Sequence, residues 1–150
     1  MITIFNVANY FLHELGQMTA MKLQKLCYYA QAWSLAWDDA PLFEEDFEAW
    51  VGGPVCPQLF RTHQGKFVLP ADYYQQYATD AFTKDQKETL ESVKNFYGSR
   101  SPHWLSEATH GEKPWIEARR GVAAGERSHA VITKEAMQSF YQELEYEQQG

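Results

Sequence analysis

The residues from Lys22 to Trp33 place apolar or aromatic side chains on nearly every side of a helix. A helix with one apolar stripe lies on a protein surface, whereas a helix that is apolar around most of its circumference must be enclosed by other elements. Thr19 carries a side chain suited to cap the start of this helix. We therefore expect a central buried helix over about residues 19–37, with the rest of the chain packed around it.

Much of the remaining sequence also has helical periodicity. The other predicted helices span about residues 4–15, 57–63, 84–97, 102–109 and 114–120, and a last one begins at Thr133. Phe47 to Val51 has the aromatic and β-branched residues of a short extended segment, and residues 64–82 show no regular pattern. No repeat or low-complexity tract divides the 150 residues. The sequence thus predicts a mainly α, single compact helical domain over residues 1–150, with at most one short extended segment near residues 47–51.

Two other helix starts also carry capping residues. Thr3 precedes the first helix, and Thr83 with Gln86 has the spacing of a capping box. Four apolar residues of the helix over residues 84–97 are expected to face the core: Leu90, Val93, Phe96 and Tyr97.

The formal net charge of the chain is −7. Proteins that bind nucleic acid through its phosphates need clustered lysine and arginine, so nucleic acid is not the expected partner. Six acidic residues fall within residues 38–48. They form either a solvated surface or a docking site for a basic partner.

The chain contains only two cysteines, Cys27 and Cys56, too few for the disulfide framework of a small secreted domain. Its first residues do not resemble a signal peptide. The longest uncharged apolar-rich stretch, residues 26–37, is too short to cross a bilayer. We expect a soluble, cytoplasmic protein with no membrane partner.

No group of residues has the spacing of a known reactive centre. The two cysteines and five histidines match no zinc-site or metalloprotease pattern, and Gly52-Gly53-Pro54 lacks the lysine of a phosphate-binding loop and indicates a tight turn. We expect no metal, no cofactor, no catalytic residue and no enzymatic activity. Cys56, expected to be the more exposed thiol, leaves open a Cys/His- or metal-dependent hydrolase as a less favoured alternative.

Lys22 and Lys25 are the only lysines or arginines in the first 60 residues, and they lie about one turn apart on the otherwise apolar central helix. Their aliphatic stems can lie along a core while the ammonium groups reach water or a carboxylate. Two interpretations remain: the lysines hold the helix against the acidic residues 38–48, or they contact a partner.

Several short segments, in this order along the chain, resemble the landmarks of one known family. They are Met21-Lys22-Leu23-Gln24-Lys25-Leu26-Cys27-Tyr28-Tyr29-Ala30-Gln31-Ala32-Trp33, Pro41-Leu42-Phe43, Glu48-Ala49-Trp50-Val51-Gly52-Gly53-Pro54-Val55, and Thr109-His110-Gly111-Glu112-Lys113-Pro114-Trp115-Ile116-Glu117-Ala118-Arg119. Together they resemble the Panacea domain of the SocA-like, phage-associated antitoxin family. The chain departs from that pattern at Gly52, where the family has an aromatic residue, and at Cys27, where it has an aliphatic one.

The resemblance implies a small, mainly helical protein that neutralises a cognate toxin by binding it directly. The toxin is expected to be a protein encoded by the adjacent gene. One branch of the family instead hands its toxin to an ATP-dependent protease, so a proteolytic adaptor is the main alternative. A transcriptional regulator is a further alternative, which the negative charge of the chain disfavours.

Partner-binding residues are sought among the polar, aromatic and turn-forming landmarks of the resemblance. The candidates are Lys22, Lys25, Tyr29, Trp50, Gly53, Pro54, His110, Trp115 and Arg119. For each of them, internal hydrogen bonding or packing is an equally weighted interpretation. Because a few buried aromatic or arginine anchors dominate most interfaces, exposed aromatic residues are the first targets for substitution.

Overall fold

The computed structural model describes residues 1–149, with side chains for residues 1–147. More than half of the chain is helical, which confirms the mainly α prediction. The helices are α1 (Ile4–Leu15), α2 (Ala20–Asp38), α3 (Pro57–His63), α4 (Lys84–Tyr97), α5 (Pro102–His110), α6 (Lys113–Ala118) and α7 (Lys134–Gln149). No helix within the described residues is long and apolar enough to span a membrane.

Helix starts follow the capping residues that the sequence shows. Thr3 and Thr83 each accept a backbone N–H in a capping box, and Thr19 accepts the N–H of Lys22 at the start of α2. These side chains satisfy backbone donors that have no partner within the helix. The α6 boundaries differ slightly from the predicted residues 114–120, because the last two of these residues belong to a turn.

Every residue of α2 from Leu23 to Leu35 is buried. The helix packs against α1, α4, α5 and α7, and the first strands of the chain also contact it. Its aromatic residues join a continuous cluster in which Tyr28 contacts Phe47 and Tyr141 edge to face, with ring centroids 5.3 and 6.4 Å apart. Such contacts account for a helix that has no polar face.

Two glutamines of α2 connect this helix to the loops around it. The Gln24 side chain accepts the Cys56 N–H at 2.9 Å and donates to the Cys56 carbonyl at 3.3 Å. The Gln31 side chain accepts the Leu42 N–H and donates to the Phe43 carbonyl, both at 2.7 Å. Each buried amide therefore supplies hydrogen-bond partners to backbone groups of these loops, which would otherwise be buried without any.

The prediction of at most one short extended segment is wrong. β2 (Phe47–Trp50) forms a hairpin with β3 (Gly53–Val55), and β2 also pairs with β5 (Val131–Ile132) in a three-stranded antiparallel sheet. A second pair joins β1 (Met18–Thr19) to β4 (Val68–Leu69). Strands of two to four residues are too short to show an alternating pattern, so the sequence predicts only the longest strand, β2.

Candidate functional site

The hairpin of β2 and β3 receives contacts from most of the candidate residues. Three side chains from the region of α5 and α6 donate hydrogen bonds to its backbone carbonyls: Ser106 to Gly52 (3.0 Å), Trp115 to Trp50 (2.9 Å) and Arg119 to Ala49 (2.7 Å). Pro54 is buried in β3 opposite Ala49. Two of the segments that resemble a known family, residues 48–55 and 109–119, thus meet in space at this hairpin.

Lys25 extends from α2 to the back of the hairpin turn. It is only 1% exposed, and its ammonium nitrogen has no hydrogen-bond partner among the described residues. Burial lowers the pKa of Lys25 to about 8. A Cβ atom at Gly53 would lie 2.6 Å from Lys25 Cε, and Gly53 has a φ of +121°, so only glycine suits this position.

His110 lies at the end of α5, next to the same hairpin. Its ring stacks on Trp115 with centroids 4.3 Å apart, and its buried Nε2 atom has no hydrogen-bond partner within residues 1–147. The pKa of His110 is lowered, mainly by burial and also by the nearby positive charge of Lys25, although Glu107 opposes the shift. The hairpin region thus contains two buried nitrogen atoms whose bonding capacity is unused.

Trp50 is partly exposed at a surface beside the hairpin. Its indole N–H donates to Glu48 at 2.9 Å, and His129 contacts both the same carboxylate and the Trp50 ring. A cavity of about 360 Å³ lies here, lined in part by Met21, Gly52 and Arg127.

The two remaining candidates lie elsewhere. The Lys22 ammonium donates to the carbonyl of Gly98, the residue that follows α4, at 2.6 Å, and partial burial lowers its pKa. Tyr29 stacks on Tyr97 at a centroid distance of 4.0 Å, and its hydroxyl donates to Glu112 at 2.9 Å. Neither lysine contacts the acidic residues 38–48, so the interpretation that they hold α2 against that segment is wrong.

Exposure divides the nine candidates. Lys22, Trp50, His110 and Trp115 are partly exposed, whereas five are buried and bonded or packed internally: Lys25, Tyr29, Gly53, Pro54 and Arg119. In this conformation the buried five present little or no side-chain surface to a partner, although the Tyr29 ring lies in the wall of a groove described below. Their contacts join α2, the hairpin and the α5–α6 region into one unit.

A groove that the sequence interpretation missed lies between α2, α4, α5 and α7. This aromatic groove encloses about 470 Å³ and is lined by Tyr29, Trp33, Trp37, Ser92, Val93, Phe96, Tyr97, Trp104, Ala108, Glu112, Leu144 and Glu145. Trp37, Phe96 and Trp104 are 41%, 55% and 38% exposed, which is unusual for side chains of this size. The expectation that Phe96 faces the core is wrong, because Phe96 stands at the edge of this groove.

Glu112 is the polar group of the aromatic groove. Its Oε1 atom accepts hydrogen bonds from the hydroxyls of Tyr29 at 2.9 Å and Tyr141 at 2.7 Å. Burial raises the pKa of Glu112, while the two hydroxyl donors partly oppose that shift. No lysine, arginine or histidine of the described residues forms a salt bridge with this carboxylate. Aromatic faces beside such a carboxylate form a site suited to a cation.

The expectation that Cys56 is an exposed thiol is wrong. Cys56 is fully buried, and burial raises the pKa of its thiol to about 11. A protonated, inaccessible thiol is a poor nucleophile and a poor metal ligand. Within residues 1–149 no three histidine, cysteine or acidic side chains are grouped so that they could hold a metal ion.

Comparison with known families gives one match. The family described as "Antitoxin SocA-like, Panacea domain" matches residues 23–116, well over half of the chain. The matched region runs from α2 to α6 and includes both the hairpin and most of the groove. No curated protein and no solved structure matches the chain.

Proposed function

Since this chain belongs to the SocA-like antitoxin family with a Panacea domain, we propose that it is the antitoxin of a toxin–antitoxin pair and neutralises its cognate toxin by direct protein–protein binding. The family match over residues 23–116 carries this proposal. We also propose that the adjacent gene encodes the toxin. The complex would form in the cytoplasm of a bacterium.

The side-chain chemistry of the chain supports a binding role rather than a catalytic one. Both thiols are buried, and burial raises the pKa of Cys27 as well as that of Cys56. The aromatic groove, in contrast, offers large exposed rings of the kind that anchor protein interfaces. We therefore expect neutralisation to require contact with the toxin and no chemical turnover by this chain.

The test is co-expression of the adjacent reading frame in a bacterial host. We expect the frame to stop growth when expressed alone, and growth to return when this protein is expressed with it. Co-purification of the two proteins as a stable complex would complete the support. A frame that is harmless alone, or that remains lethal beside this protein, contradicts the proposal.

Masking and proteolytic delivery differ in the fate of the toxin. Direct masking leaves the toxin intact in the complex. When protein synthesis is stopped, the half-life of the toxin should then be the same or longer in the presence of this protein. Delivery to an ATP-dependent protease shortens that half-life only while the protease is active. We propose masking and expect an intact toxin in the co-purified complex.

A further inference from the structure

We propose that the aromatic groove binds an arginine or lysine side chain of the toxin, with the Glu112 carboxylate as its counter-charge. This inference rests on the proposed antitoxin function and names the chemistry of the contact. It assigns the interface to the groove between α2, α4, α5 and α7, away from the hairpin.

The rings of the groove surround a space suited to one long cationic side chain and its flanking residues. A volume of about 470 Å³ falls within the range of pockets that enclose small ligands, and the side chains of Trp37, Phe96 and Trp104 are partly exposed to solvent. A cation over an aromatic face is attracted by the negative potential of the ring. Several rings around one cation strengthen this attraction.

The charges at the groove favour a positive occupant. The Glu112 carboxylate lines it, and none of the lining residues is a lysine, arginine or histidine. Arg100 lies at its edge, with its guanidinium 5.2 Å from the centroid of Phe96 and 4.5 Å from that of Trp104. Those contacts show that the rings accept a guanidinium.

An apolar occupant alone would not suit the groove. It would exclude water from the Glu112 carboxylate, which two tyrosine hydroxyls solvate only at Oε1 and which no cation of the described chain neutralises. Desolvating an unpaired carboxylate is costly, whereas a guanidinium or ammonium would pair with it. The chemistry of the groove therefore selects a basic side chain that apolar residues flank.

Contacts within the chain hold the inner rings of the groove in place. The Trp33 indole N–H donates to the Tyr97 hydroxyl at 2.9 Å, Trp33 stacks on Trp37 at 4.7 Å, and Tyr97 stacks on the ring of Tyr29. Because folding already fixes these rings, a ligand does not have to order them on binding.

A pair of small probes tests the charge requirement without the toxin. We would titrate N-acetyl-arginine amide and N-acetyl-citrulline amide, which have similar shapes but differ by one positive charge, and follow the indole N–H resonances by NMR. We expect the arginine probe to shift the Trp37 and Trp104 resonances and to bind about tenfold more tightly than the citrulline probe. Glu112→Gln, which keeps an oxygen acceptor for the two tyrosines, should remove most of that difference.

Three outcomes would overturn the inference. The first is equal binding of the two probes, the second is a response confined to Trp50 and Trp115 at the hairpin, and the third is no response to either probe. Each would mean that the aromatic groove does not select a cation.

Variants in the toxin assay test whether the toxin uses this groove. We expect Trp104→Ala and Glu112→Gln each to raise the toxin Kd at least about tenfold while their melting curves remain cooperative. Phe96→Ala should weaken toxin binding, whereas the control Phe67→Ala, which removes an equally large but 79% exposed ring outside the groove, should not. If the wild-type protein and the groove variants rescue growth equally well, the toxin does not use the groove, and only the groove inference is refuted. A wild-type protein that fails to rescue refutes the antitoxin proposal itself.

Discussion

Lys25 combines full burial with a basic group that has no hydrogen-bond acceptor in the part of the chain that the structure describes. Lysine is rarely buried without a partner, because water solvates the ammonium far better than a protein interior does. The lowered pKa of about 8 reflects this loss of solvation. Lys25 therefore opposes folding at neutral pH, although its stem fills the space behind the hairpin.

We predict that Lys25→Met raises the free energy of unfolding at pH 7 by about 3 kcal/mol. The folded-state pKa lies below the unfolded-state pKa, so the unfolded wild-type chain binds more protons between these two values. The wild-type protein therefore gains stability as the pH rises through that window, while the variant lacks this gain. The stability difference should narrow by about 2 kcal/mol between pH 7 and pH 9.5 in urea unfolding experiments.

Lys22→Met is the matched control. Lys22 is partly exposed and donates to the Gly98 carbonyl, so its replacement removes a favourable hydrogen bond and should not stabilise the protein. A Lys25→Met protein whose stability relative to wild type does not change with pH would contradict the assignment of a buried, unpaired ammonium.

The residue scale is also where the sequence is least informative. Helical spacing shows that Lys25 shares α2 with aromatic residues, but it does not show that the β2–β3 hairpin covers that side of the helix. Glu112 raises the same difficulty, because its two tyrosine partners, Tyr29 and Tyr141, are 83 and 29 residues away along the chain. Long-range contacts of this kind depend on how the elements pack.

At the scale of elements, side chains from other parts of the chain hold the hairpin in addition to the pairing of its own short strands. Arg119 makes the most extensive of these contacts. Its guanidinium donates to the Ala49 carbonyl at 2.7 Å and to the Glu126 carbonyl at 2.5 Å, and it also lies over the Trp115 ring. A two-stranded hairpin is marginally stable alone, so such bonds fix its position.

We predict that Arg119→Ala lowers the free energy of unfolding by on the order of 2 kcal/mol or more, because it leaves two carbonyls without their charged donor. The neighbouring Arg120→Ala is the control, since Arg120 is exposed and its ion pair with Glu117 spans 3.9 Å. Its effect should stay within about 0.5 kcal/mol. Thermal unfolding of both variants measures the difference, and equal melting temperatures would contradict this role of Arg119.

Helices were more predictable from the sequence than strands, and the reason is local. Thr3, Thr19 and Thr83 cap helices through bonds to residues two or three positions away, so the sequence contains both partners. The strand pair β1–β4 instead joins residues about 50 positions apart, with two residues in each strand. The aromatic groove was missed for a related reason: it forms where four helices meet, and its rings come from three of them, α2, α4 and α5.

At the scale of the whole molecule, the helices outside the family match complete the core. α1 contributes Ile4, Val7, Phe11 and Leu12 to it, and α7 contributes Met137 and Tyr141, all of them buried. Both helices pack on α2. The matched residues 23–116 therefore lack two of the helices that pack against α2.

We predict that a fragment of residues 23–116 does not fold cooperatively, because removal of α1 and α7 exposes a large part of α2 to water. Circular dichroism during heating should show a broad, weak transition for the fragment and a sharp one for the full chain. A fragment with a cooperative transition near the melting temperature of the full chain would show that the matched region is an independent unit.

The two glutamines of α2 have a consequence for how this protein can change over evolution. Gln31 fixes the chain at Leu42 and Phe43, and Gln24 fixes it at Cys56, so both ends of the intervening segment are anchored to one helix. The two glutamines lie seven positions, or roughly 10 Å, apart along α2. Residues inserted between Val51 and Gly52, which are exposed at the tip, would leave both anchors in place and would disturb only the Ser106 hydrogen bond to the Gly52 carbonyl among the bonds described above. This tip can therefore lengthen while the helix beneath it remains unchanged.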